Sequence, residues 1–269
     1  MAIRRTFIDS TWGQLHLRVA GQSSQRPPII CLHMVPKSSR SFANLMEVLA
    51  QDRLVIAPDY PGYGESDPPP VEPHVSISDY AKSVWQVVDH FNLQQVNFVG
   101  YHTGAMVAVE AAQYRPADVA KVINISAPLF TPQEVKNFLE YYSPVPLDVA
   151  GQRFRLMWER IMQYRGPGMT LEMAAVSMAE NLRAGENYEW GHNAAFNHAE
   201  AYTDNLKQLR QPLFVMNIND DLYEHSRRVD PLLKNGYRKD FPDWGAGFLD
   251  VFTEQAAAVM KEFFDTEDL

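Results

Sequence analysis

The sequence is short of several things, and each shortage excludes something. Its 269 residues include one cysteine, Cys31, so no internal disulfide can form and no Cys-x-x-Cys pair exists. No run of 18 apolar residues occurs, and Met1-Ala2-Ile3-Arg4-Arg5-Thr6 leads straight into strand-like alternation without an apolar leader segment. A cytoplasmic protein without membrane association is the expectation. Positive charge is also scarce. Lys and Arg number 24 against 33 Asp and Glu, a net charge of −9. That balance argues against a nucleic-acid partner, whose phosphates are bound by clustered cations. Internal repeats and low-complexity tracts are missing too. What is present, 46% hydrophobic residues over this length, suits one α/β domain carrying an insertion.

Leu15, Leu17 and Val19 alternate with His16 and Arg18 after Trp12-Gly13, which predicts a hairpin. Continuous apolar runs then appear at 28–32, 54–57, 96–99, 122–125 and 212–216. Amphipathic stretches lie between or after them at 42–49, 78–91 with Ser78 as the capping residue, 104–114 and 253–264. Apolar strands alternating with helices predict a parallel sheet covered on both faces. From 130 to 206 helix signals follow one another without a strand. This stretch is expected to be an inserted helical cap, with 1–129 and 207–269 forming the core.

At a strand-to-helix junction the sequence reads Val99-Gly100-Tyr101-His102-Thr103-Gly104-Ala105. This resembles the nucleophile elbow of the α/β-hydrolase family, G-x-S-x-G, with histidine at the serine position. The central residue of such an elbow has positive φ, which histidine tolerates better than most side chains, and the flanking glycines allow strand and helix to approach closely. The surroundings extend the resemblance over about 190 residues. Pro28 through Met34 resembles the family's third strand and its oxyanion turn. Asp59-Tyr60-Pro61-Gly62-Tyr63-Gly64-Glu65-Ser66 is similar to its D-x-x-G-x-G-x-S loop. The acid turn is Asn217-Ile218-Asn219-Asp220-Asp221, with Asp221 at the carboxylate position. The resemblance implies a mostly parallel eight-stranded sheet with helices on both faces and the cap after the sixth strand.

It also marks two departures. The family's last catalytic histidine falls on Ala246 in Trp244-Gly245-Ala246-Gly247-Phe248, and the serine has become His102. The usual Ser-His-Asp acyl transfer is therefore excluded. An imidazole gained at the elbow and one lost from the last loop suggest a His102–Asp221 dyad, with the ring pointing into the volume that Ala246 leaves open. The start of the following helix is expected to keep the ring neutral. The ring would act as general base or nucleophile, with backbone N–H groups of Thr103 and of Met34 or Val35 holding an oxyanion. The predicted function is hydrolysis of a small organic substrate, at an ester or at a C–C bond beside a carbonyl. The alternative is an inert or non-hydrolytic member, a lyase or proton-transfer protein, that binds a small hydrophobic ligand under the cap.

Other residues carry weaker expectations. His33, Trp190 and His192 are candidates for substrate contact; His198 and Tyr202 lie in the same stretch as the last two. His225 could stand in for the missing loop imidazole. His16, His74 and His90 read as surface residues, and Cys31 as a small apolar side chain in a buried strand. No metal site is expected, since His192 and His198 are six apart and no His-x-x-x-His pair exists. No cofactor is expected either, because no Gly-rich phosphate cradle opens a helix. A small-molecule substrate is the expected partner, and a homodimer is compatible with the sequence.

Overall fold

A computed structural model describes residues 2–266. Eight strands form one sheet: β1 (Arg4–Ser10), β2 (Gly13–Ala20), β3 (Ile29–Leu32), β4 (Val55–Pro58), β5 (Val96–Tyr101), β6 (Val119–Ile125), β7 (Leu213–Ile218) and β8 (Gly236–Phe241). Their spatial order is β1-β2-β4-β3-β5-β6-β7-β8. β1 and β2 make the antiparallel hairpin, β2 joins β4 antiparallel, and every later pairing is parallel. The central strands β3, β4, β5 and β7 are buried along their whole length, which is why they read as unbroken apolar runs.

Helices cover both faces. α1 (Ala43–Leu49) packs with the closing helix α11 (Thr253–Asp265) on one side. α2 (Ile77–His90) and α3 (Thr103–Tyr114) pack on the other. α2 starts two residues earlier than expected. Ser76 is its cap and forms a reciprocal capping box with Asp79. Ser78 instead donates its hydroxyl to Glu110 of α3.

Between β6 and β7 lie α4 (Pro132–Tyr141), α5 (Gln152–Gln163), α6 (Leu171–Arg183), α7 (Trp190–Asn197) and α8 (Ala199–Gln208). The last of these differs from an inserted cap helix. α8 packs on α3, and Tyr202 Oη accepts a hydrogen bond from Asn124 of β6 at 2.9 Å, so it belongs to the layer over the sheet. Two short helices, α9 (Tyr223–Ser226) and α10 (Phe248–Val251), follow β7 and β8.

The close approach at the β5–α3 junction explains both glycines. A Cβ on Gly104 would stand 2.0 Å from the Leu32 carbonyl oxygen, and one on Gly100 would stand 2.2 Å from the Gly104 carbonyl oxygen. Both are backbone atoms, one in β3 and one in α3, and cannot move aside.

Glu110 ties three helices together. It accepts from Ser78 on α2 and from Asn205 on α8 at 2.7 Å, and His198 Nε2 lies 3.5 Å away. His198, with Ser78 and Asn205, outweighs burial and holds the Glu110 carboxyl down to about 2.

Two stability predictions follow from these contacts. Gly104→Ala should cost about 3 kcal/mol in urea unfolding, since overpacking against fixed backbone has no cheap relaxation. The Glu110 contribution is fully present above its unfolded value of 4.5 and fades as pH falls toward about 2. Glu110→Gln should accordingly flatten the acid limb of the stability–pH curve by about 1–2 kcal/mol.

Candidate active site

The elbow forms where β5 hands over to α3. His102 has φ 49° and ψ −110°, a conformation that is sparse for any side chain but glycine. Its backbone is held on both sides: its N–H donates to Ile125 of β6 at 3.0 Å, and its carbonyl accepts from Ala105 at 2.8 Å. The turn thrusts the imidazole out of the sheet toward the loop after β7.

There the ring meets a carboxylate, one residue away from the expected one. His102 Nε2 donates to Asp220 Oδ2 at 2.8 Å, whereas Asp221 Oδ1 stands 3.8 Å off. The physical reason is where β7 ends: after Ile218 the chain turns, and the Leu222 N–H bonds Asp220 Oδ1 at 2.9 Å, which aims the Asp220 carboxylate inward. Ser126, just past β6, donates to Asp220 Oδ2 at 2.9 Å. The Asp220 carboxylate thus receives three donors. Asp221, by contrast, receives no donor from another residue on its carboxylate among the described residues; only its own backbone N–H bears on it.

Because Asp220 takes the Nε2 hydrogen, a neutral His102 carries its lone pair on Nδ1, which has no partner among the described residues. The helix start does not prevail as expected in lowering the ring's affinity for a proton. Burial does oppose charging, but Asp220, in direct contact, and then Asp221 outweigh it and hold the imidazole above its usual value. Burial, together with the like charge of Asp220, lifts the Asp221 carboxyl above the ordinary range.

His102 lines a small cavity of about 60 Å³ with Val35, Thr103, Tyr142, His192 and Asp221. Phe130, Phe138 and Phe196 close its far side. His192 stacks on Tyr142, ring centroids 4.2 Å apart, and its Nδ1–H donates to the Tyr188 carbonyl at 3.2 Å. Burial pushes its imidazole down to about 4, so it faces the cavity neutral.

Ala246 does not share this space. It lines a larger cavity of about 570 Å³ with Met34, Tyr101, Met169 and Phe248, on the other side of the elbow. Thr103 opens α3, so its N–H has no acceptor within the helix. Of the two candidate partners for it, Val35 rather than Met34 stands in the cavity with His102.

Two expected contact residues are elsewhere. His33 is fully buried and both its nitrogens are taken: Nδ1–H donates to the Met34 carbonyl at 2.9 Å and Nε2 accepts the Tyr60 N–H at 3.0 Å. It shapes the turn and has no nitrogen to offer a ligand. Trp190 lines a separate cavity with His74, Asn193 and His198. His225 does not replace the loop imidazole either; its Nε2 lies 3.5 Å from Glu134. His16, expected on the surface, is buried with Nδ1 2.8 Å from Asp59. That carboxylate also accepts the backbone N–H groups of Ser39 and Glu65, so the Asp59 loop is a scaffold that presents Tyr60 to His33.

Residues that pattern reading missed are Asp220, Ser126 and the Phe130–Phe138–Phe196–Tyr142 wall. The Asp220-Asp221 doublet was visible; only the register of the turn separates its members.

Just beyond the Met34–Val35 turn, Lys37 reaches up to α6. Its ammonium donates to the Ser177 carbonyl at 2.8 Å, to Ser177 Oγ at 2.6 Å and to Asn181, while Ser38 donates to Glu180. Burial pushes Lys37 down to about 7 against the pull of Glu180. Lys37→Ala leaves those acceptors unpaired, and amide exchange across α6 should quicken about 10-fold, equivalent to about 1.4 kcal/mol of local opening.

Comparison with known proteins bears on this geometry. The α/β hydrolase fold family model matches residues 27–251. A proline iminopeptidase of Lactobacillus helveticus is 24% identical over 282 residues, spanning 95% of each chain. A serine hydrolase-like protein of Danio rerio is 31% identical over 124 residues, 46% of this chain and 38% of its own. Among solved structures, epoxide hydrolase A from Mycobacterium thermoresistibile superimposes with a TM-score of 0.79 at 18% identity, covering 97% of this chain and 98% of its own. An esterase from Exiguobacterium antarcticum gives 0.78 at 17% identity, covering 98% and 100%.

Proposed function

The chain belongs to the α/β hydrolase fold family, and on that premise we propose that it hydrolyses a small organic carbonyl substrate through His102. The observation that carries this reading is the His102–Asp220 bond at 2.8 Å, which orients the ring and leaves Nδ1 open beside a cavity. Relatives and structural neighbours named as a peptidase, an esterase and an epoxide hydrolase support hydrolysis as the reaction class.

In the proposed step, Nδ1 takes a proton from a water while its oxygen bonds to the substrate carbonyl carbon. The oxyanion is held by the N–H groups of Thr103 and Val35, a contribution of about 3 kcal/mol in such sites. The imidazolium, steadied by Asp220, then returns the proton to the leaving group as the bond to it breaks. In the alternative step Nδ1 bonds to the ester carbonyl carbon, the alkoxide leaves as its C–O bond breaks and takes a proton from water, and hydroxide then cleaves the acyl-imidazole to the acid and the free ring. Esters and C–C bonds flanked by a carbonyl are the substrate classes this chemistry accepts. His192, neutral and stacked on Tyr142, lines the substrate side, and the segment between β6 and β7 serves as a cap over it.

A second reading has an observation in its favour. The cavity beside His102 is walled by Phe130, Phe138, Tyr142 and Phe196, the lining that a binder of a small hydrophobic ligand would show. In the hydrolase reading the cap must open for substrate.

His102→Ala separates the two. Turnover of p-nitrophenyl esters of short acids should fall at least about 100-fold, the scale of a lost general base, with the melting temperature and circular dichroism retained. Serine-directed fluorophosphonates should leave the wild type active. Equal turnover by wild type and variant would remove His102 from the chemistry, and ligand binding without turnover in either would establish the inert binder.

A further inference from the structure

We propose that His102, Asp220 and Asp221 form a binding site for one divalent first-row transition ion, with Zn²⁺ as the reference. Among the described residues this is the group of metal-capable side chains whose ligand atoms converge, all within 4.8 Å of one another. It was invisible to spacing rules because its members come from two segments 118 residues apart, the elbow and the turn after β7.

The donor set fits such an ion. One imidazole nitrogen and two carboxylate oxygens suit Zn²⁺, Mn²⁺ or Co²⁺ better than Mg²⁺, which prefers oxygen ligands and its own water. A tetrahedral ion with bonds of about 2.0–2.2 Å keeps its ligand atoms roughly 3.4 Å apart. The distances from Nε2, 2.8 Å to Asp220 and 3.8 Å to Asp221, bracket that value. Small side-chain rotations would make both equal.

Charge supplies the driving force. Two adjacent carboxylates face one imidazole in a half-buried place, more acidic groups than a single ring pairs with. Asp220 is compensated by Leu222, Ser126 and His102. The Asp221 carboxylate has no donor from another residue among the described residues, although it lines the cavity beside the ring. A divalent ion would cancel both charges and give Asp221 the partner it lacks. The adjoining cavity has room for water to complete the coordination sphere.

Occupancy would also change what the ring can do. An imidazole bound to metal through Nε2 keeps its one remaining hydrogen on Nδ1. The lone pair that faces the cavity becomes a donor, and the ring can no longer accept a proton from water. The site would then act as a metal-operated off switch. That consequence rests on the base role of His102 given above; the binding site itself does not.

The test uses the full, tag-free chain after chelator treatment. Calorimetric titration with Zn²⁺, and with Co²⁺ for its visible absorption, should show one equivalent bound to the folded protein and none of Mg²⁺. His102→Ala and Asp221→Asn, each checked for folding, should weaken binding at least about 10-fold. No stoichiometric binding by the wild type, or binding that both variants keep, overturns the site. His102-dependent ester turnover without Zn²⁺ binding overturns the metal site alone. Binding without any His102-dependent turnover supports the site and removes the base role.

Discussion

The close approach of α3 to β5 and β3 is the constraint on which the site depends. Gly104 lies against the Leu32 carbonyl and Gly100 against Gly104 itself, so no side chain fits at either position. With the backbone pressed that tightly, the residue between them has one way to go, out of the sheet at positive φ. The elbow is a property of the backbone and is indifferent to the chemistry mounted on it. That is why a histidine can occupy the position without disturbing the fold.

What the position then does is decided by electrostatics at its open end. The start of a helix offers a diffuse positive field, worth about 0.3–1 kcal/mol in most settings. A carboxylate in hydrogen-bond contact outweighs it, and here there are two carboxylates. The competition is won at short range, so the ring is pulled toward its charged form. The same crowding leaves Asp221 under-compensated, and the acidic turn has more negative charge than one imidazole needs. The wall opposite is aromatic and closed, which concentrates these effects by keeping bulk water away.

A second chain of contacts holds the other half of the site. Asp59 gathers the Ser39 and Glu65 N–H groups and the His16 ring. Tyr60, next in sequence, gives its N–H to His33, and His33 gives its own hydrogen to the Met34 carbonyl. The turn that carries Met34 and Val35 is therefore shaped by a relay of buried polar groups. His33 reads as a candidate ligand in the sequence because it lies at the end of a strand beside the site. It is a strut, since both nitrogens point into backbone.

The residues alone determined the class of fold, the glycine-flanked turn at His102 and the first seven strands; β8, polar and largely exposed, left no apolar run to read. Those features are local: apolar runs, glycine spacing and the Asp59 loop are legible because each reflects the chain's own backbone within a few residues. Tertiary structure decided the rest. It chose Asp220 over Asp221, since a one-residue difference in where β7 ends reverses which carboxylate faces the ring. It put Ala246 and His102 on different cavities, and moved α8 onto the sheet layer through Tyr202 and Asn124. Hydrogen bonds select partners by direction at about 3 Å, and direction across 118 residues is set only when the whole sheet has closed.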